Sequence, residues 1–156
     1  MSKKSAGLLM FRRTSLVEVL LVHPGGPFWS KKDIGSWSIP KGEYEDEDAL
    51  LVAQREFQEE TSYSVTGNFL PLSPLRQPGG KVVSVWAVEG DCAAAGIKSN
   101  TFVLEWPPRS GRQQEFPEVD RAEWFSLSLA REKILKGQIG FLHQLEQLLS
   151  AESNEP

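Results

Sequence analysis

At 156 residues the chain has the size of one domain around one core. Its 40% hydrophobic content is that of a globular protein rather than a disordered one, and a net charge of −4 argues against an electrostatic grip on duplex nucleic acid. Cys92 is the one cysteine, which excludes an internal disulfide and a multi-cysteine metal site and fits a reducing cytoplasm.

In chain order, Met1 to Lys4 make a basic start, but Arg12 and Arg13 cut the apolar run Leu8 to Phe11 short of a signal core or a membrane span. Ala6 to Phe11 and Leu16 to Val22 read as two strands joined by a turn at Arg13-Thr14-Ser15. His23 to Gly35, with Pro24, Gly25, Gly26, Pro27 and Gly35, reads as a long loop of the kind that is often functional in a compact domain. Trp37 to Ile39 is a brief strand, and Pro40-Lys41-Gly42 a turn leading to a helix. Asp46, Glu47 and Asp48 suit the positive N-terminus of that helix, and Leu50, Ala53 and Phe57 fall on its core stripe. Glu56, Glu59 and Glu60 fall on a neighbouring stripe turned away from the core. The helix stops near Thr61-Ser62.

Phe69 to Arg76 is a strand broken by Pro71 and Pro74, followed by a turn at Pro78-Gly79-Gly80. Lys81 to Glu89 alternates, with Val83, Val85 and Ala87 opposite Val82, Ser84 and Trp86. Thr101 to Trp106 is a short strand stopped by Pro107-Pro108. Arg109 to Val119 is a polar loop holding Glu115 and Glu118. Arg121 to Phe125 is a last strand, and Leu127 to Leu135 and Ile139 to Leu149 are two helices. Residues 1–150 are thus expected to form one domain, an α/β/α sandwich with a mixed sheet, and 151–156 a disordered tail.

The stretch Arg55-Glu56-Phe57-Gln58-Glu59-Glu60 carries the chemistry. A helix gathers its three carboxylates on one face, where like charges repel by roughly 0.2–0.5 kcal/mol per pair. Such a concentration of oxygen ligands suits a divalent cation such as Mg²⁺. The plain alternative is a solvated helix face.

The stretch from Gly42 to Tyr63 resembles the signature of the Nudix hydrolases. Gly42, Glu47, Arg55, Glu56, Phe57, Glu59, Glu60 and Tyr63 occupy the signature positions. The early strand pair, Pro40-Lys41-Gly42 and the late Glu118 before Trp124-Phe125 are also Nudix-like. The chain is one residue short of the family spacing between Gly42 and Glu47, which reads as a loop deletion that bears on where the Gly42 carbonyl points. Ser62 stands where the family has Gly; if the site needs positive φ, Ser costs about 1 kcal/mol.

The resemblance implies a metal-dependent pyrophosphohydrolase that cleaves a nucleoside diphosphate linked to another moiety, an NTP or a dinucleoside polyphosphate, by water attack on phosphorus. It implies Mg²⁺ or Mn²⁺ held by Glu59 and Glu60, with the Gly42 carbonyl a frequent family ligand. Glu56 is either a further ligand or the base. Glu118, with Glu115 second, is the candidate for a late-loop base or extra ligand. Arg55 is expected to orient the carboxylates by ion pairing, with Glu47 the candidate partner. Lys41 is either a substrate-phosphate contact or a surface lysine. Ala6 to Arg13 and Gly137 to Leu142 are similar to segments of diadenosine tetraphosphate hydrolases. The whole chain is more similar to a bacterial Nudix group described as NTP pyrophosphohydrolases. A nucleotide-binding or sensor module that has lost catalysis is the alternative.

Among the remaining residues, Phe28, Trp29 and Trp106 lie in loop-like segments and serve either packing or base stacking, whereas Trp37 and Trp124 read as anchors. His23 and His143 have no His or Cys partner at ligand spacing and receive no role.

Overall fold

The computed structural model describes residues 3–153. Its centre is β1 (Lys4–Arg13), whose two edges are used differently. On one edge, Lys4 to Gly7 pair antiparallel with β3 (Lys41–Tyr44), and Phe11 to Arg13 pair antiparallel with β2 (Val17–Pro24). On the other edge β6 (Val82–Glu89) runs parallel to β1 from Lys4↔Val82 to Phe11↔Glu89. Two short strands, β4 (Leu70–Pro71) and β5 (Leu75–Arg76), share the outer edge of β6. Pro71 and Pro74 explain the break, because proline has no N–H to give to a ladder. A strand at Val119–Ser126 closes the far side against β2, completing a seven-stranded mixed sheet.

The alternation of side chains along the strands builds two cores. Ala6, Leu8, Met10, Leu20 and Val22 face one way and pack on α1 (Ala49–Thr61) through Val52, Ala53 and Phe57. Leu9, Phe11, Val19, Leu21, Val83 and Val85 face the other way. They meet α2 (Leu127–Lys133) at Ala130 and α3 (Ile139–Ser153) at Phe141, Leu142, Leu145 and Leu149. Each fully buried Leu or Phe contributes about 1.5–3 kcal/mol, so the two apolar faces hold the three layers together. The expected α/β/α sandwich is the fold observed.

Helix α1 begins where the acids predicted it. The Asp48 carboxylate accepts from the Leu51 N–H at 3.1 Å, satisfying one orphan donor of the first turn. It ends at Ser62, which sits at φ 71° while its N–H donates to the Gln58 carbonyl at 2.8 Å. That is the left-handed cap at which glycine is favoured, and here a serine occupies it.

The structure corrects the expectations at four places. Lys41 and Gly42 are not a turn but the start of β3. The Lys4–Gly7 edge of β1 needs ladder partners, and Gly7 lets the incoming chain approach: a Cβ there would lie 2.4 Å from the Pro40 carbonyl oxygen. Trp37 to Ile39, expected as a strand, makes isolated bridges at Trp37 and Ser38. The polar loop Arg109 to Val119 contains β8 (Gln113–Pro117), which pairs with β7 (Thr101–Glu105) as a separate hairpin. Its inward residues are Phe102, Leu104 and Phe116, and its polar outward face concealed the strand period. Accordingly the strand at Val119–Ser126 is β9. Of the expected tail, Ala151 to Ser153 complete α3, and 154–156 lie outside the described residues. Among the described residues no helix is long and apolar enough to cross a membrane.

Candidate active site

Strand β3 and helix α1 converge at three residues. The backbone N–H of Lys41 donates to Glu60 Oε2 at 3.0 Å. This tucks the last turn of α1 under β3 and buries Glu60, which the sequence placed on a stripe turned away from the core. One residue on, the Cα of Gly42 faces Glu56: a Cβ at Gly42 would stand 2.0 Å from the Glu56 carboxyl carbon. Only glycine leaves room for that carboxylate. The shortened loop after Gly42 therefore still delivers the strand to the acidic face of α1.

Arg55 lies on the outer side of the same helix. It pairs with Glu47, as expected, and its guanidinium stands 3.9 Å from Glu56 and 3.9 Å from Glu59. Glu59 is more exposed than Glu56 and stays beside Arg55. Glu118 comes from the junction of β8 and β9. Its N–H donates to the Asn100 carbonyl at 2.8 Å, and its carbonyl accepts from the Gly25 N–H at 2.9 Å, which fixes its place. Together with Lys41 and Glu60 it lines a cleft of about 230 Å³. Glu115, in β8 opposite Val103, is exposed and forms no part of that wall.

The electrostatics are those of a crowded acidic site. Burial, and then the charge of Glu56, hold the Glu60 carboxyl well above the usual carboxylate range, against the pull of Lys41. Burial and the charge of Glu59 raise Glu56 as well, with Arg55 opposing. Burial lowers the Lys41 ammonium, with Lys81 adding to the shift and Glu60 opposing it. Among the described residues the Lys41 ammonium has no ion-pair partner within 4 Å, so it stands in the cleft as an uncommitted cation.

Among the described residues no three His, Cys, Asp or Glu side chains are gathered closely enough to hold a metal by themselves. The donor set nevertheless fits a hard cation. Glu56 and Glu60 are like charges held near each other in a partly desolvated place, which a divalent ion relieves. Mg²⁺ commonly takes one or two carboxylates and completes its shell with waters and substrate phosphates rather than an all-protein cage.

Sequence reasoning missed Gln138. Buried between α2 and α3, it accepts from the Ile39 N–H at 2.9 Å and donates to Ser38 Oγ at 3.0 Å. It thereby clamps the segment that leads into Lys41 and Gly42. The signal was present in Gly137-Gln138-Ile139-Gly140. Both glycines are sites of close approach, to Gln77 and Leu75, on either side of the Gln138 that reaches Ser38 and Ile39. His23 is also structural. Its ring nitrogens lie 2.8 Å from Asp120 Oδ1 and 2.7 Å from the Lys32 carbonyl, so it ties down the loop after β2.

The NUDIX domain family matches residues 1–145. The chain belongs to this family. It is accordingly a Nudix hydrolase, acting on phosphoric anhydride bonds. Solved structures share the fold at low identity. The Ap4A hydrolase of C. elegans in a binary complex is 21% identical, with 96% of this chain and 98% of that chain covered and a TM-score of 0.62. The NUDIX domain of Shewanella oneidensis NrtR complexed with ADP ribose is 17% identical, with 96% and 89% covered and a TM-score of 0.65. The E. coli ORF135 protein is 17% identical, with 99% and 96% covered and a TM-score of 0.60. No curated protein matches the chain.

Proposed function

We propose that the protein is a metal-dependent pyrophosphohydrolase that cleaves a nucleoside diphosphate linked to another moiety, of the NTP or dinucleoside polyphosphate type. The observation that carries this reading is the convergence of Lys41, Glu60 and Glu118 on one cleft with the charge of Glu56 acting on Glu60, two carboxylates disfavoured as anions unless a cation joins them. Glu56 and Glu60, with Glu59 beside them, are the residues to hold Mg²⁺ or Mn²⁺, and Gly42 leaves the space in which Glu56 sits. When bound, the ion neutralises diphosphate charge and lowers the proton affinity of water.

The chain's own groups do the rest. The uncommitted ammonium of Lys41 binds a substrate phosphate oxygen, in a desolvated place where the attraction is stronger than in water. Arg55, braced by Glu47, holds the outer side of the carboxylate cluster in position. The base that takes a proton from the attacking water is Glu56 or Glu118. Glu56 is made a stronger proton acceptor by burial and by Glu59, and Glu118 enters the cleft from the opposite element. The bond broken is P–O in the anhydride, and the departing phosphate oxygen carries away the electron pair. In support, one structural neighbour, the NrtR domain, is complexed with ADP ribose, a nucleoside diphosphate linked to another moiety, and another is named an Ap4A hydrolase.

The test is a hydrolysis panel of NTPs, dinucleoside polyphosphates, nucleotide sugars, oxidised nucleotides and capped RNA, run with Mg²⁺ or Mn²⁺ in ¹⁸O-labelled water. One class should turn over with the label in a phosphate product. Nucleotide binding without any turnover would place the protein among nucleotide sensors instead.

A further inference from the structure

The cleft has an aromatic wall as well as a charged one. Of the three aromatic residues in loop-like sequence, Phe28 and Trp106 are used on each other, edge to face with centroids 5.3 Å apart. Trp29 has no aromatic partner among the described residues; Lys32 Nζ stands 5.1 Å from its ring centroid, and Trp29 contributes to the cleft wall.

The loop that carries Trp29 is braced on both sides. The Gly25 N–H donates to the Glu118 carbonyl, and a Cβ at Gly26 would lie 2.9 Å from the Phe102 ring of the β7–β8 hairpin. On the far side His23 holds the Lys32 carbonyl, and Asp33 accepts from Trp37 Nε1 at 2.8 Å and pairs with Lys133. The hairpin insertion thus does for Trp29 what a rigid scaffold does for a binding residue.

The serine hydroxyls of the cleft and the backbone groups of Ser38 and Val119 are already engaged. Ser36 Oγ donates to the Asp33 carbonyl, and Ser38 Oγ donates to the Ile39 carbonyl at 2.8 Å while accepting from Gln138. The Ser38 backbone bonds Val22 in both directions at 2.9 Å. The Val119 N–H and carbonyl both bond Ser99 Oγ at 3.0 Å. What remains is charged, namely Lys41, Glu118 and Glu60, whose Oε2 already accepts from the Lys41 N–H, and the proposed reaction uses these. Reading a base edge takes dedicated donors and acceptors, whereas a stack needs only a π face.

We infer that Trp29 is the stacking platform for the nucleobase, and that the cleft takes bases by their π face without reading their edges. This rests on the nucleotide reading above and adds to it a subsite and a base tolerance. It does not depend on turnover.

Equilibrium titration by calorimetry and intrinsic fluorescence tests it, using the full chain with AMP, GMP, UMP and CMP, and tripolyphosphate as the base-free probe. The four monophosphates should bind within about tenfold of one another, and AMP should quench wild-type fluorescence. Trp29→Ala should weaken all four by about tenfold or more and leave tripolyphosphate unchanged. Trp29→Phe keeps a π face, so it should retain nucleotide affinity while losing the quench, which keeps the test decisive if the alanine variant does not fold. Phe28→Ala, outside the cleft, is the control and should bind as wild type. Discrimination among the bases beyond tenfold, equal losses for nucleotides and tripolyphosphate, unchanged nucleotide affinity in Trp29→Ala, or no nucleotide binding at all would overturn the inference. Stacking without hydrolysis would instead overturn the proposed reaction and leave this subsite standing.

Discussion

Gly42 and Glu56 share one space: the hydrogen on the Gly42 Cα points where the Glu56 carboxylate sits, and a methyl group there would come within 2.0 Å of its carboxyl carbon. Gly42→Ala should therefore push Glu56 aside while β3 keeps its pairing with β1. The expected result is a loss of turnover on the order of 10²-fold or more, as for a misplaced general base or ligand, with a stable fold. Steady-state kinetics beside thermal unfolding would show it; a near-normal rate would mean that Glu56 has no fixed role.

Glu60 is the residue through which the proposed metal binding would bear on stability. Its proton affinity is raised in the fold above the ordinary value near 4.5, by burial first and Glu56 second. A carboxyl of that kind contributes stability below its unfolded value and loses it as pH rises through the folded value. At pH 7 without metal, Glu60→Gln should thus melt above wild type, since the amide keeps an oxygen for the Lys41 N–H. Added Mg²⁺ should stabilise wild type by about 2.7 kcal/mol at a hundredfold excess over Kd, and the variant far less. Melting curves from pH 5 to 8 with and without Mg²⁺ provide the check.

Ser62 holds the αL cap of α1 at φ 71°. Ser62→Gly should stabilise the protein by about 1 kcal/mol without altering kinetics, because the residue touches no part of the cleft. Denaturant unfolding reads this directly, and an unchanged midpoint would count against strain at the cap.

Gln138→Leu removes the acceptor from a buried Ile39 N–H and the donor to Ser38. The cost should be about 1–3 kcal/mol of stability. Because Ile39 precedes Lys41 and Gly42 in one extended segment, kcat should fall too, and Gln138→Glu, which keeps the acceptor, should recover more of it than Gln138→Leu. Equal kcat in both would make Gln138 a packing residue only.

Much of this was legible in sequence because it is written in local patterns. The alternation of Val83, Val85 and Ala87 predicted their common face, and Asp48 before an apolar stripe predicted the start of α1. The pairing of Arg55 with Glu47 is the one that the family resemblance offered as a candidate. What was not legible depends on contacts distant in sequence. Nothing local in Lys41 to Tyr44 shows that β1 has an open edge waiting for it. The burial of Glu60 was not legible, because it is decided by the Lys41 N–H, nineteen positions away. The strand at Gln113–Pro117 was hidden because its ladder bonds come from the backbone and only Phe116 turns inward. Gln138 reaches across ninety-nine positions to Ile39, a distance over which no periodicity speaks.

The proposed reaction turns on Glu56 and Glu60 holding the cation that makes the anhydride hydrolysable. Metal titration of turnover in wild type, Glu56→Gln and Glu60→Gln, each checked for folding, tests it most directly. Wild type should show no turnover in chelator and recover it with Mg²⁺ or Mn²⁺, while both variants fall by on the order of 10²–10⁴-fold at saturating metal. Metal-independent turnover in wild type, or near-normal rates in both variants, would contradict the claim.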